Sequence, residues 1–137
     1  MFKVKVLTIG RCKEEWLLVA LAEYEKRLRG KLSIEWRLAK DDAELIEWAS
    51  AEPSLVALDP KGELLTSEEW SRKMIRLGLR IVFVIGGAEG LPPEITKRAQ
   101  FQWSLSPLTF THQITRLILI EQLYRAMEIE QGSRYHK

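Results

Sequence analysis

A chain of 137 residues with 46% hydrophobic and 29% charged side chains has the length of one domain and the composition of an ordinary globular protein, which excludes fibrous and intrinsically disordered classes. The net charge is only +2, but residues 1–30 and 97–137 each sum to +3 around a middle of −4; basic ends allow a local anionic partner without requiring one. No apolar run approaches the ~18 residues of a membrane span, and Met1-Phe2-Lys3-Val4 opens a strand-like stretch rather than a signal segment, so a cytoplasmic protein without a membrane partner is expected. One cysteine, Cys12, excludes an internal disulfide, and with His112 and His136 as the only histidines a soft-ligand metal site is not expected.

Apolar residues alternate between strand and helix periods along the chain. Phe2 to Ile9 reads as a strand closed by Gly10, and Lys13 to Arg29 as a helix with Trp16, Leu17, Ala20, Leu21, Tyr24 and Leu28 at spacings of three and four. A strand follows at Leu32–Leu38, then a helix from Asp41 or Asp42, either able to cap free amides, to Ala51. Ser54 to Asp59 reads as a short buried strand ended by the turn Pro60-Lys61-Gly62. Thr66 and Glu69 have the spacing of a capping box and open a helix that Gly78 closes. The clearest strand is Arg80 to Ile85, and Pro92-Pro93-Glu94 suits a helix start. Phe101 to Leu105 can be a fifth strand before a long helix from Thr109 or Thr111 to Gln131. This alternation predicts an α/β fold with a largely parallel sheet flanked by helices, and with no repeat or linker residues 1–137 are read as one domain. Trp16, Trp48 and Trp70 stand at apolar helical positions and are expected in the core. Ile114, Leu117, Ile118, Leu119, Ile120, Leu123, Tyr124 and Met127 cover more of the last helix than one core face needs. Either that helix is central to a monomer or it forms a homodimer interface, and the homodimer is preferred.

Three turns after strands are candidates for chemistry. Gly86-Gly87-Ala88-Glu89-Gly90 follows the best strand and lets backbone amides approach a ligand, although a structural turn explains it equally well. It fails the dinucleotide spacing G-x-G-x-x-G, and no phosphate loop of the G-x-x-x-x-G-K-[ST] type exists. Leu58-Asp59-Pro60-Lys61-Gly62 and Leu105 to Phe110 could gather beside it on one sheet edge. Backbone groups with few charges suit a ligand with an adenine and a sulfonium better than a triphosphate. His112, near the start of the last helix, is either a structural or capping histidine or a catalyst. Tyr135-His136-Lys137 offers an aromatic to stack on a base, a group titrating near neutrality and a cation for phosphate, or else is a frayed tail. Arg11, Lys13, Lys26, Arg27 and Arg29 could form a basic patch, but Glu14, Glu15, Glu23 and Glu25 interleave them as on a solvated helix face.

In order along the chain, Leu58 to Gly62, Phe83 to Leu91, Trp103 to Thr109, His112-Gln113, Arg116, Glu121 to Ala126 and Tyr135-His136-Lys137 resemble the ribosomal RNA large subunit methyltransferase H family, minimal SPOUT methyltransferases. The resemblance implies a trefoil-knotted fold, a homodimer and S-adenosyl-L-methionine as methyl donor without a metal. It implies methylation of N3 of a pseudouridine in helix 69 of 23S rRNA on the assembled 70S ribosome. By motif match, Leu58, Gly86, Leu105, Ser106, Pro107, Leu108, Thr109 and Phe110 would hold the cofactor. His112, Tyr135, His136 and Lys137 would lie at the acceptor site, the tail of one subunit reaching the cofactor of the other. His136 or His112 would take the imide proton, Tyr135 would position the base, and Lys137 with Arg134 would hold phosphate. Thr111 stands where the family usually has proline, and residues 38–53 are shorter than usual. The alternatives are a non-catalytic ribosome-binding module of the same fold and a nicotinamide-dependent oxidoreductase, against which the failed glycine spacing weighs.

Overall fold

The computed structural model describes residues 1–137. Strands and helices alternate as β1 (Phe2–Ile9), α1 (Glu15–Arg27), β2 (Leu32–Ala39), α2 (Asp42–Ser50), β3 (Val56–Leu64), α3 (Ser67–Leu77), β4 (Arg80–Ile85), α4 (Pro93–Arg98), β5 (Phe101–Ser104) and α5 (His112–Gln131). The five strands form one sheet in the order β2-β1-β4-β3-β5, every neighbouring pair parallel. This is the α/β architecture that the alternating periods predict.

Local chemistry sets the helix starts where the sequence places them. The Asp41 side chain accepts from the Glu44 amide, and Thr111 accepts from the Ile114 amide. Thr66 and Glu69 form both bonds of the capping box, and Pro93 begins α4 where its missing N–H costs no bond. At each strand's end the chain crosses to the next helix, and the two faces of the sheet are covered unequally. On one face α1, α3 and α5 bury Val4, Val6, Leu17, Leu21, Trp70, Met74, Phe83, Leu119, Ile120 and Leu123 in one cluster. On the other, α2 and α4 enclose Leu7, Leu45, Ala49, Leu55, Val84 and Ile95. The centre of the larger cluster is aromatic: Trp70 stacks on Trp103 with ring centroids 3.9 Å apart and planes inclined by 17°, and Phe83 lies 5.8 Å from Trp70.

Two expectations are corrected. β3 does not end at Asp59; it runs on to Leu64, and its pairing with β5 shifts register between Leu58 and Glu63. Pro60 has no N–H to give a ladder, so the strand bulges, the Lys61 amide bonding Asp59 Oδ1 at 2.9 Å, and then resumes pairing. At Gly62 the two strands pass so closely that a Cβ would come within 2.7 Å of the Gln102 backbone. Trp16 is not a core residue, being 53% exposed. The buried stripe of α1 is Leu17, Leu21 and Leu28, and one position before Leu17 the helix has turned by about 100°, which directs Trp16 outward. Trp70 is fully buried as expected, and Trp48 is half-buried beneath Arg37, whose guanidinium lies 4.1 Å from its ring centroid.

The aromatic centre and the cap should separate cleanly in chemical unfolding. Trp70→Ala is expected to lose about 3–5 kcal/mol through the cavity it leaves, and Thr66→Ala about 1 kcal/mol through the cap alone. Equal losses would contradict the placement of Trp70.

Candidate active site

Two strand ends and one bulge build one cleft. β4 delivers Ile85-Gly86-Gly87, β3 delivers Leu58-Asp59-Pro60 at its bulge, and Leu105 to Phe110 leads from β5 to the first turn of α5, where His112 and Thr115 complete the wall. The chain places β4 and then β5 on opposite sides of β3. Such a reversal opens a crevice outside the carboxyl ends of parallel strands, where α/β proteins bind ligands. The cleft has about 700 Å³ of free space including its open mouth, enough for a nucleoside-sized ligand.

Glycine is required at the floor. A Cβ on Gly86 would lie 2.5 Å from the Gly90 carbonyl carbon and 2.7 Å from the Leu91 amide nitrogen, so the loop folds back on itself only without a side chain there. Gly90, at φ +81°, takes a left-handed conformation as its amide returns to the Gly87 carbonyl. Behind Gly87 stands Ile9, at the end of β1. The turn after β1 is held from α5: Arg116, 1% exposed, donates through Nη2 to the carbonyls of Ile9 at 2.8 Å and Gly10 at 2.7 Å. Gln113 Nε2 adds a bond to the Arg11 carbonyl at 3.1 Å.

The lining contains no lysine and no arginine; Asp59 and His112 are its only ionisable side chains. Burial, and secondarily the nearby Arg116 cation, push His112 below the ordinary imidazole range, so it is neutral at pH 7. The Gln113 amide nitrogen lies 3.3 Å from His112 Nε2. Because an amide nitrogen only donates, Nε2 is the bare nitrogen and the proton sits on Nδ1.

Of the residues read from the sequence, Leu58, Gly86, Leu105, Ser106, Leu108, Thr109, Phe110 and His112 all line this one cleft. Pro107 belongs to the same loop without facing the space. Asp59, Pro60, Ile85, Gly87, Ala88, Gly90, Leu91 and Thr115 complete the wall. All but Thr115 could be found as neighbours of the named turns, whereas Thr115 needs the helical phase of α5.

Tyr135, His136 and Lys137 are not in the cleft. Tyr135 donates its hydroxyl to Glu121 Oε2 at 2.8 Å and meets the Tyr124 ring edge-on at 4.7 Å. Arg125 lies over the Tyr135 ring at 4.8 Å, and its Nη1 is 3.1 Å from His136 Nδ1. His136 Nε2 bonds Glu68 at the start of α3. Burial, and then the bond to Glu121, raise the Tyr135 hydroxyl far above the usual phenol range, so it remains protonated. Lys137 is exposed and forms no ion pair. Glu121 stands nine positions after His112, about two and a half helical turns, hence on the opposite side of α5. The tail is therefore seated away from its own chain's cleft. No group of three or more His, Cys, Asp and Glu side chains converges to hold a metal, and no helix is long and apolar enough to cross a membrane.

The family model described as predicted SPOUT methyltransferase matches residues 2–136. The ribosomal RNA large subunit methyltransferase H of Protochlamydia amoebophila (strain UWE25) is 52% identical over 141 residues, covering all of both chains. Among solved structures, a probable methylase family protein from Haemophilus influenzae Rd KW20 superposes with a TM-score of 0.60 at 12% identity, over 98% of this chain and 70% of that one. The SpoU methyltransferase AviRb from Streptomyces viridochromogenes, in complex with the cofactor AdoMet, superposes with a TM-score of 0.53 at 13% identity, over 95% of this chain and 58% of that one.

The setting of His112 can be read in proton NMR. The C2 proton of His112 is expected to titrate below the ordinary value of about 6.5, and a titration at or above it would contradict the buried, cation-flanked setting.

Proposed function

The chain belongs to the SPOUT methyltransferase family, and within it to the ribosomal RNA large subunit methyltransferase H proteins; from that premise we propose that residues 1–137 act as one domain transferring a methyl group from S-adenosyl-L-methionine to N3 of a pseudouridine in helix 69 of 23S rRNA on the assembled 70S ribosome. The observation that carries this reading is the cleft itself, bounded by backbone, apolar and hydroxyl groups with one neutral imidazole, the Asp59 carboxyl and no cation. That donor set suits an adenosine bearing a sulfonium. It would leave the phosphates of a nucleotide cofactor without a counter-charge.

S-adenosyl-L-methionine supplies, when bound, an electrophilic methyl carbon. The protein's own work is positioning and proton removal. Leu58, Gly86 and Leu105 to Phe110 would hold the methyl donor, Gly86 letting the glycine loop close on itself and Ser106 being held in its turn by the bond from the Leu108 amide to its hydroxyl at 3.0 Å. His112, neutral, accepts the imide proton of N3 at Nε2, directly or through a water, in exchange for the single hydrogen bond that the Gln113 amide donates there. Tyr135, protonated, orients the acceptor base, while Lys137 and Arg134, both exposed, meet phosphate.

A second copy of the chain completes the site. The tail lies across α5 from its own His112, so it serves a partner's cleft. On the outer side of the α1–α5 layer, Trp16 and Val19 are 53% and 64% exposed, and Ile114, Leu117 and Ile118 are only half-buried. An apolar face of this kind fits a homodimer in which each tail, from its seat on its own chain, faces the other subunit's cleft. The trefoil knot belongs to the same proposal. The low net charge fits recognition of a shaped target in a large assembly, since phosphate contacts alone provide affinity without sequence information.

The test is incubation with labelled S-adenosyl-L-methionine and 70S ribosomes lacking the modification, followed by nucleoside mass spectrometry. Label in 3-methylpseudouridine is expected, and His112→Ala should lower turnover by about 100-fold or more while keeping cofactor binding. Cofactor binding by the unmodified chain without any label in rRNA would favour the ribosome-binding module instead.

A further inference from the structure

His136 is held at both ring nitrogens. Its Nδ1 faces Arg125 Nη1 at 3.1 Å, and its Nε2 faces a carboxylate oxygen of Glu68. A guanidinium has no lone pair to offer, so Nδ1 must be bare and accept from Arg125. The ring proton is then on Nε2 and is donated to Glu68. Both nitrogens are engaged, and neither is free to take a proton from a substrate. The groups around the ring are Glu68 from α3, Arg125 and Glu121 from α5, and Tyr135 beside it in the tail. Three elements distant in sequence therefore meet on one seat.

We propose that Glu68 is a positioning residue for methyl transfer: by accepting the Nε2 proton of His136 it seats the Tyr135-His136 segment on its own chain in one tautomer, before substrate arrives. The proposal rests on the methyltransferase reading and deepens it. The tail reaches the partner's acceptor base from a fixed seat, so the entropy of ordering it is spent in folding and not at the encounter with RNA. His136 then orients and does not act as the base, which leaves proton removal to His112. Arg125 has a double duty, being bound to Glu121 through Nε and Nη2 while its third nitrogen meets the ring. Glu68 has no such second partner in the seat, so it can be changed without dismantling α5.

The test uses the full chain labelled with ¹⁵N-histidine, in which only two imidazoles report. At neutral pH, long-range proton–nitrogen correlations of His136 are expected to show a protonated Nε2 and a bare Nδ1. Glu68→Ala should leave the Nε2 proton without its acceptor and broaden its correlation through exchange with water, while Nδ1 stays bare opposite Arg125, and Glu68→Gln, which keeps an accepting oxygen, should restore the sharp signal. With 70S ribosomes, Glu68→Ala is expected to lower kcat by about tenfold with KM for S-adenosyl-L-methionine unchanged within about twofold, and Glu68→Gln to recover most of the loss. Averaged tautomers in the unmodified chain, or full turnover by Glu68→Ala, would overturn the proposal, and a parallel rise in cofactor KM would reduce Glu68 to a structural role. An ordered tautomer in a chain that transfers no methyl group would overturn the methyltransferase reading and, with it, the part of the proposal that concerns transfer.

Discussion

One buried guanidinium joins the sheet to the last helix. Arg116 is withdrawn from water, and its Nη2 donates to the carbonyls of both Ile9 and Gly10 where β1 ends. Hydrogen bonds from a charged group inside a protein are worth roughly 1.5–3 kcal/mol each, and carbonyls left unpaired there would be costly. Arginine suits the position because it keeps its charge under burial and offers several donors from one planar group. The consequence reaches the cleft in two steps. The pinned turn fixes Ile9, Ile9 backs Gly87, and the glycine loop can then close on itself at Gly86 and Gly90. From the same helix His112 is presented to the cleft one turn before Arg116, whose charge helps to keep the imidazole neutral.

Charge is partitioned accordingly. The cleft has no cation, whereas the tail's seat across α5 is a network of Glu68, Glu121, Arg125 and His136. Ion pairs at a surface contribute little to stability, so this network is better suited to orienting a segment than to holding the fold together. Stability comes instead from the apolar layers, with Trp70, Phe83 and Trp103 at the centre of the larger one. In the proposed reaction the cation-free compartment receives the sulfonium ligand and the ion-paired one presents the tail to RNA.

Much of this was legible in the residues themselves. Strand runs such as Ile81 to Ile85, the capping box at Thr66, and the turns after Ile85 and Ser104 have local causes, and local causes survive folding. Trp16 was misplaced because helical spacing alone does not say which of two adjacent apolar positions turns inward. The bulge in β3 was missed because Pro60 and Gly62 signal a turn as readily as an interrupted strand that later resumes. Glu68 was invisible for a different reason. It reads as a first-turn acid of α3, and its contact with His136 spans 68 positions that only the tertiary fold brings together. The tail's seat across the helix from His112 likewise needed the phase of α5 and the position of α3.

The most direct test of the central claim is a structure of the protein solved with S-adenosyl-L-homocysteine, the demethylated form of the proposed donor. The expected result is ligand density between Leu58, Gly86 and the loop Leu105 to Phe110, with the sulfur side facing His112. Density at any other surface, or a cleft closed by movement of the glycine loop with the ligand bound elsewhere, would contradict the account.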